Sequence, residues 1–195
     1  MRLILGFAAV LVAVMSFRFV LVAGDPSTAH MAHYSGLSPL AMTAHVLGAP
    51  LALLLAPLQL SDRVRNRAPT LHRMAGRVSA LAVLVGVLGA LGMLPYFLGS
   101  PFAASGFFVL ALVWAGATAI GIWHIRHGRL TDHRVWMLRS VALSFSAVTL
   151  RVQMIPLVAA GWTIPETYSI TAWACWVPNL LVVEWLRHRR RSVLA

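Results

Sequence analysis

Residues 133–151 read HRVWMLRSVALSFSAVTLR. The stretch opens on basic and aromatic residues, runs into a segment apolar enough for lipid, and places a further arginine, Arg151, fifteen positions beyond Trp136. At 1.5 Å per helical residue, Arg151 lies roughly 22 Å into a hydrocarbon core about 30 Å thick. A charge at that depth faces other helices and a polar partner, so the stretch reads as one member of a helical bundle inside a membrane.

The rest of the chain agrees. Of its 195 residues 59% are hydrophobic, and sixteen arginines with no lysine stand against five acidic residues. A mean hydropathy of +0.80 is more than a water-soluble domain carries. Apolar stretches of bilayer-spanning length, about 20 residues, recur at 3–23, 38–60, 78–97, 107–126, 135–160 and 169–186. This pattern predicts an all-α fold, a polytopic bundle of six transmembrane helices in a single domain over 1–195. Arginines gather at Arg2, in RVRNR with Arg73 and Arg77, in RHGRLTDHR and in RHRRR, at alternate ends of the spans. The opposite loops, 24–37, 98–106 and 161–168, carry none. The positive-inside rule then predicts cytoplasmic N- and C-termini, with anionic headgroups as partners of the basic loops.

Several classes are excluded. The pI near 11.8 does not mean nucleic acid, because the arginines sit in short loops beside membrane, with no soluble module to enter a groove. Residues 1–24 resemble a signal peptide, but Arg18 interrupts the apolar region, so the segment is expected to be retained. Cys175, alone, makes no intrachain disulfide. No nucleophile with an adjacent base, no phosphate-cradling glycine loop and no paired carboxylates appear, leaving a hydrolase without support.

Counting depth along each span brings Arg18, His45 and Arg151 to one outer layer, with Met93, Trp114, Cys175 and Trp176 at the same level. Ser140, Ser144, Ala147 and Arg151 share one small-residue face; His45, Gly48, Ala49, Ala52, Ala56 and Gln59 share another, and both are expected to face inward. Pro50, Pro156 and Pro178 deprive the carbonyls of Val46, Val152 and Ala174 of their helical donors. An inner layer holds Arg139, Glu184, Gln59 and His124, and Glu184 is the expected partner of Arg139. In the outer layer no span supplies an acid; Asp25 and Glu166 reach it only from loops, so a bound anion is one candidate counter-charge. Plainer roles stand beside this: Arg18 snorkelling outward, Arg151 satisfied by Glu166 and freed carbonyls, His45 donating to a backbone carbonyl, and the loop histidines lying at the interface.

Four strings, AHVLGAPLALLLAPLQL, LHRMAGR, DHRVWMLRSVALSFSAVTLR and AWACWVPNLLVVEW, occur in this order. Together they resemble a family of bacterial multi-pass proteins known as a domain of unknown function and described as predicted membrane proteins. The likeness covers about residues 40–185 and includes HR-x-x-GR and HR-x-WM-x-RS motifs. It places His45, Gln59, His72, Arg73, Gly76, Arg77, His133, Arg134, Trp136, Met137, Arg139, Arg151, Asn179 and Glu184 at motif positions. It implies a bacterial cytoplasmic membrane and no particular activity.

Two main functional readings follow. The first is a redox protein with b-type haem as cofactor: His45 ligates iron, Arg151 and Arg18 pair the propionates, Met93, Met154 or Met42 supplies a sixth ligand, and a quinone is the partner. His72, His124 and His133 are candidates for a second haem. The second is a non-enzymatic binding or transport protein for an anionic, lipid-like ligand held by Arg151 and Arg18. A third, copper handling at the outer face, would use His30, Met31, His33, Met42 and His45.

Overall fold

A computed structural model of the chain describes residues 2–21 and 31–192, with side chains at 4–18 and 31–189. Asp25 and His30 lie outside the described residues. The described residues form α-helices and no strand: α1 (Arg2–Leu21), α2 (Ala32–Leu37), α3 (Pro39–Gln59), α4 (Asp62–Arg67), α5 (Pro69–Met93), α6 (Pro101–Arg126), α7 (Leu130–Ser144), α8 (Ser146–Ala159), α9 (Ile164–Ala174) and α10 (Val177–Ser192). Five segments are long and apolar enough to cross a membrane: Pro39–Gln59, Pro69–Tyr96, Pro101–Arg126, Leu130–Ala159 and Ile164–Arg189. The protein is therefore a helical membrane bundle. The apolar part of α1, Ile4–Arg18, is shorter.

The helices outrun several of the apolar windows. Prolines in the first turns of α5, α6 and α9 start them, because proline's fixed φ suits that position and the missing N–H is not needed there. His72 and Arg73 thus stand inside α5 rather than in a loop.

The chain divides into two compact units, Met1–Leu98 and Gly99–Ala195. In the first, α3 packs along α5 and α1 along α3. Small residues bring the α3 and α5 backbones together. A Cβ on Gly48 would collide with the backbone N of Gly86, one on Gly89 with the backbone N of His45, and one on Gly86 would meet Ala49 N at 2.8 Å. On α1 the stripe Ala9, Ala13 and Ser16 is buried, and Gly6 lies against Pro57.

In the second unit α6 packs on α7, and α9 packs on both α6 and α8. The last two membrane-crossing segments are each broken, at Phe145 and at Cys175–Trp176. Pro178, in the first turn of α10, accounts for the second break by removing an amide donor. The first contains neither proline nor glycine. There Ser144 Oγ donates back to Ser140 O (3.1 Å) and Thr149 Oγ1 to Phe145 O (3.2 Å), hydroxyl bonds that share the carbonyls of the helix ladder.

Candidate functional site

In the first unit the site centres on His45, which is half-buried on α3. Its Nδ1 lies 2.9 Å from Gly86 O on α5. A carbonyl only accepts, so the bond places an imidazole proton on Nδ1. Glycine is required at 86 and 89 for α5 to come this close. Because Gly6 lies against Pro57 in the antiparallel α1–α3 pair, twelve residues along each helix bring Arg18 level with His45. Met93 is buried on α5, one turn beyond Gly89, and Met42 is half-buried one turn before His45 on α3.

At the other end of α3, Gln59 Nε2 donates to His72 O (3.2 Å), and Gln59 Oε1 lies 3.3 Å from where a Cβ on Gly76 would stand. The glycine of the HR-x-x-GR motif is thereby explained: it makes room for the Gln59 amide. His33 Nε2 lies 3.2 Å from Tyr96 O, in the short turn Leu94–Tyr96 that follows α5. Among the described residues no group of three or more His, Cys, Asp or Glu side chains comes together as a metal site.

The second unit holds Arg151, Met154, His124, His133, Arg139 and Glu184. Arg139 Nε donates to Glu184 Oε1 at 2.7 Å, Arg187 Nη1 donates to Glu184 Oε2 at 2.5 Å, and the Arg139 guanidinium stacks 4.2 Å from the Trp136 ring centroid. His133 Nδ1 lies 2.8 Å from Gly121 O, and His124 Nδ1 is 3.6 Å from Asp132 Oδ2. Arg151 Nη1 donates to Ala147 O, one turn back on its own helix (2.9 Å). Glu166 is used elsewhere: its Oε2 accepts from Thr163 N and Oγ1, both at 2.7 Å, closing a capping box at the start of α9.

The Arg139–Glu184 contact carries a prediction. Glu184→Gln and Arg139→Gln should each cost about 1–2 kcal/mol, below the full value for a buried pair because the two side chains are 21% and 44% exposed. The double variant should cost less than the sum, as read from unfolding in mixed detergent micelles. Strict additivity would separate the two residues energetically.

Sequence reasoning assigned no role to the stitch across the two helix breaks. Asn179 Nδ2 donates to Ala142 O (3.2 Å) and to Thr149 Oγ1 (3.1 Å), joining α10 to both α7 and α8. Gln153 Nε2 donates to Ala174 O (3.0 Å), the carbonyl that Pro178 deprives of its helical donor. The available signal was an amide in each apolar run, RVQMIPLV and WVPNLLVV, close to a proline.

The family described as "Predicted membrane protein (DUF2306)" matches residues 42–187. The chain belongs to this family. Every residue of the α3–α5 contact and of the Asn179 stitch described above lies within the matched region, except Ala41, which precedes it and lies against Gly92; α1 and α2 precede it too. No curated protein and no solved structure matches the chain.

Proposed function

We propose that this family member is a six-span protein of the bacterial inner membrane, with both termini cytoplasmic, that binds b-type haem in its first unit and transfers electrons. The observation that carries the reading is the His45–Gly86 bond. An imidazole that would hold haem iron needs a fixed ring, and a carbonyl accepting from Nδ1 supports that orientation. Haem asks for one or two axial side chains, so it needs no cluster of three ligands. Bound there, it would supply one-electron chemistry. Arg18, level with His45, would meet an acidic edge of the group, and Met93 or Met42 would hold it as a second ligand from the same unit.

The test is an absorbance spectrum of detergent-purified protein, oxidised and dithionite-reduced. The expected result is a sharp reduced-state band that His45→Ala abolishes while the variant still elutes as a folded monodisperse species. A colourless protein from haem-supplemented cells would refute the reading. Reporter fusions after Gly99 and Gly128 should fall on opposite sides of the membrane, the second cytoplasmic.

A second reading, an anionic lipid-like ligand held by Arg151, is favoured by the direction of that side chain. It turns back along α8 to Ala147 O, toward the start of the helix, instead of snorkelling along it in the other direction. Copper handling has less support: His33 is engaged with Tyr96 O, and no metal-binding group forms among the described residues.

A further inference from the structure

The α6–α7 pair has a clear register. His133 Nδ1 reaches Gly121 O, Met137 lies on Gly121, and Thr118 Oγ1 bonds Ser140 Oγ at 2.7 Å. One turn farther along the antiparallel pair, Trp114 comes opposite Ser144, the last residue of α7. Here the chain breaks at Phe145. Beyond the break α8 packs on α9, while α9 packs on the first turns of α6 through Phe102, Gly106 and Phe107, so Trp114 stands farther along α6, beside the end of α7.

The Trp114 side chain is 7% exposed, and its Nε1–H, buried, has no hydrogen-bond partner. The fold treats its neighbours differently: Trp173 Nε1 donates to Phe102 O (3.1 Å) and Trp176 Nε1 to Ala172 O (3.1 Å). An indole N–H can only donate, and inside a bilayer bulk water is not there to accept. Gln153 Oε1, near the second break, is likewise buried without a donor. Irregular backbone inside a membrane is tolerated where it is buried in protein or lines a cavity or binding site.

We infer that the α6–α7 junction at Trp114, beside the break at Phe145, binds a lipid-soluble molecule whose carbonyl or carboxylate oxygen accepts the Trp114 N–H. The site lies wholly in the second unit and does not depend on haem at His45.

Two probes separate the sources of the oxygen: decyl-ubiquinone for a quinone carbonyl, and oleate for a carboxylate. Each is titrated by equilibrium dialysis against the purified full chain and against Trp114→Phe, which keeps an aromatic ring but lacks the donor. The expected result is saturable binding of one probe, weakened at least tenfold by Trp114→Phe, with an ultraviolet resonance Raman shift of one indole N–H band in the wild type alone. No saturable binding of either probe, or equal affinity in the variant, overturns the inference and leaves the N–H to a trapped water. Should Trp114→Phe not fold, photoreactive azido-quinone and diazirine fatty acid analogues decide on wild-type protein: labelling within residues 109–120 supports the site, and labelling confined to other segments overturns it.

Discussion

Gly48→Val and Gly86→Val should each cost about 3 kcal/mol of stability, at the upper end for overpacking, and each should disconnect His45 from Gly86. The reason is that the neighbour is backbone. A Cβ on Gly48 would fall on the amide of Gly86, and one on Gly86 would fall on Ala49, so no side chain can rotate away and the α3 and α5 axes must separate. Separation loses packing along the most extensive helix contact of the first unit, in a setting where close backbone approach is the chief source of association. Gly116→Ala is the control. Nothing lies within 4 Å of its Cβ position, and alanine is the better helix former, so stability should hold or rise slightly. Unfolding in mixed micelles gives the energies. If the haem reading holds, the Gly86 variant should also lose the reduced-state band. Wild-type stability in Gly86→Val would show that the two helices are not in backbone contact.

Asn179→Leu should cost about 2–4 kcal/mol, because it strips two partners at once, each worth about 1–3 kcal/mol when left buried and unpaired. The amide donates to Ala142 O in the last turn of α7 and to the Thr149 hydroxyl in α8. With no water in the hydrocarbon layer to replace it, the break at Phe145 would stand open. Thr149→Val should cost about 1 kcal/mol, since it removes one hydroxyl and leaves the Ala142 bond in place. Leu181→Ala, on the exposed face of the same helix, should be close to neutral. The measurement is the same detergent unfolding series, with protease sensitivity of the 160–163 turn as a local readout. Equal stabilities of Asn179→Leu and Leu181→Ala would remove the stitch from any structural role.

The sequence by itself determined the class of structure and the identity of its polar residues. Apolar runs of bilayer length admit only helices that satisfy their own backbone groups, so HRVWMLRSVALSFSAVTLR and its counterparts had to be membrane helices. Depth counting sets Arg18 and His45 at one level from rise per residue alone. Other features depend on which helix faces which, and rise per residue carries no such information. Thus the carbonyl of Gly86 as acceptor for His45, the amide of Gln153 on the carbonyl freed by Pro178, and the Glu166 carboxylate committed to Thr163 instead of reaching Arg151 appear only with tertiary structure. The break at Phe145 is the clearest case. No proline or glycine marks it, and it is held by an asparagine thirty-seven residues beyond Ala142 that takes the Ala142 carbonyl.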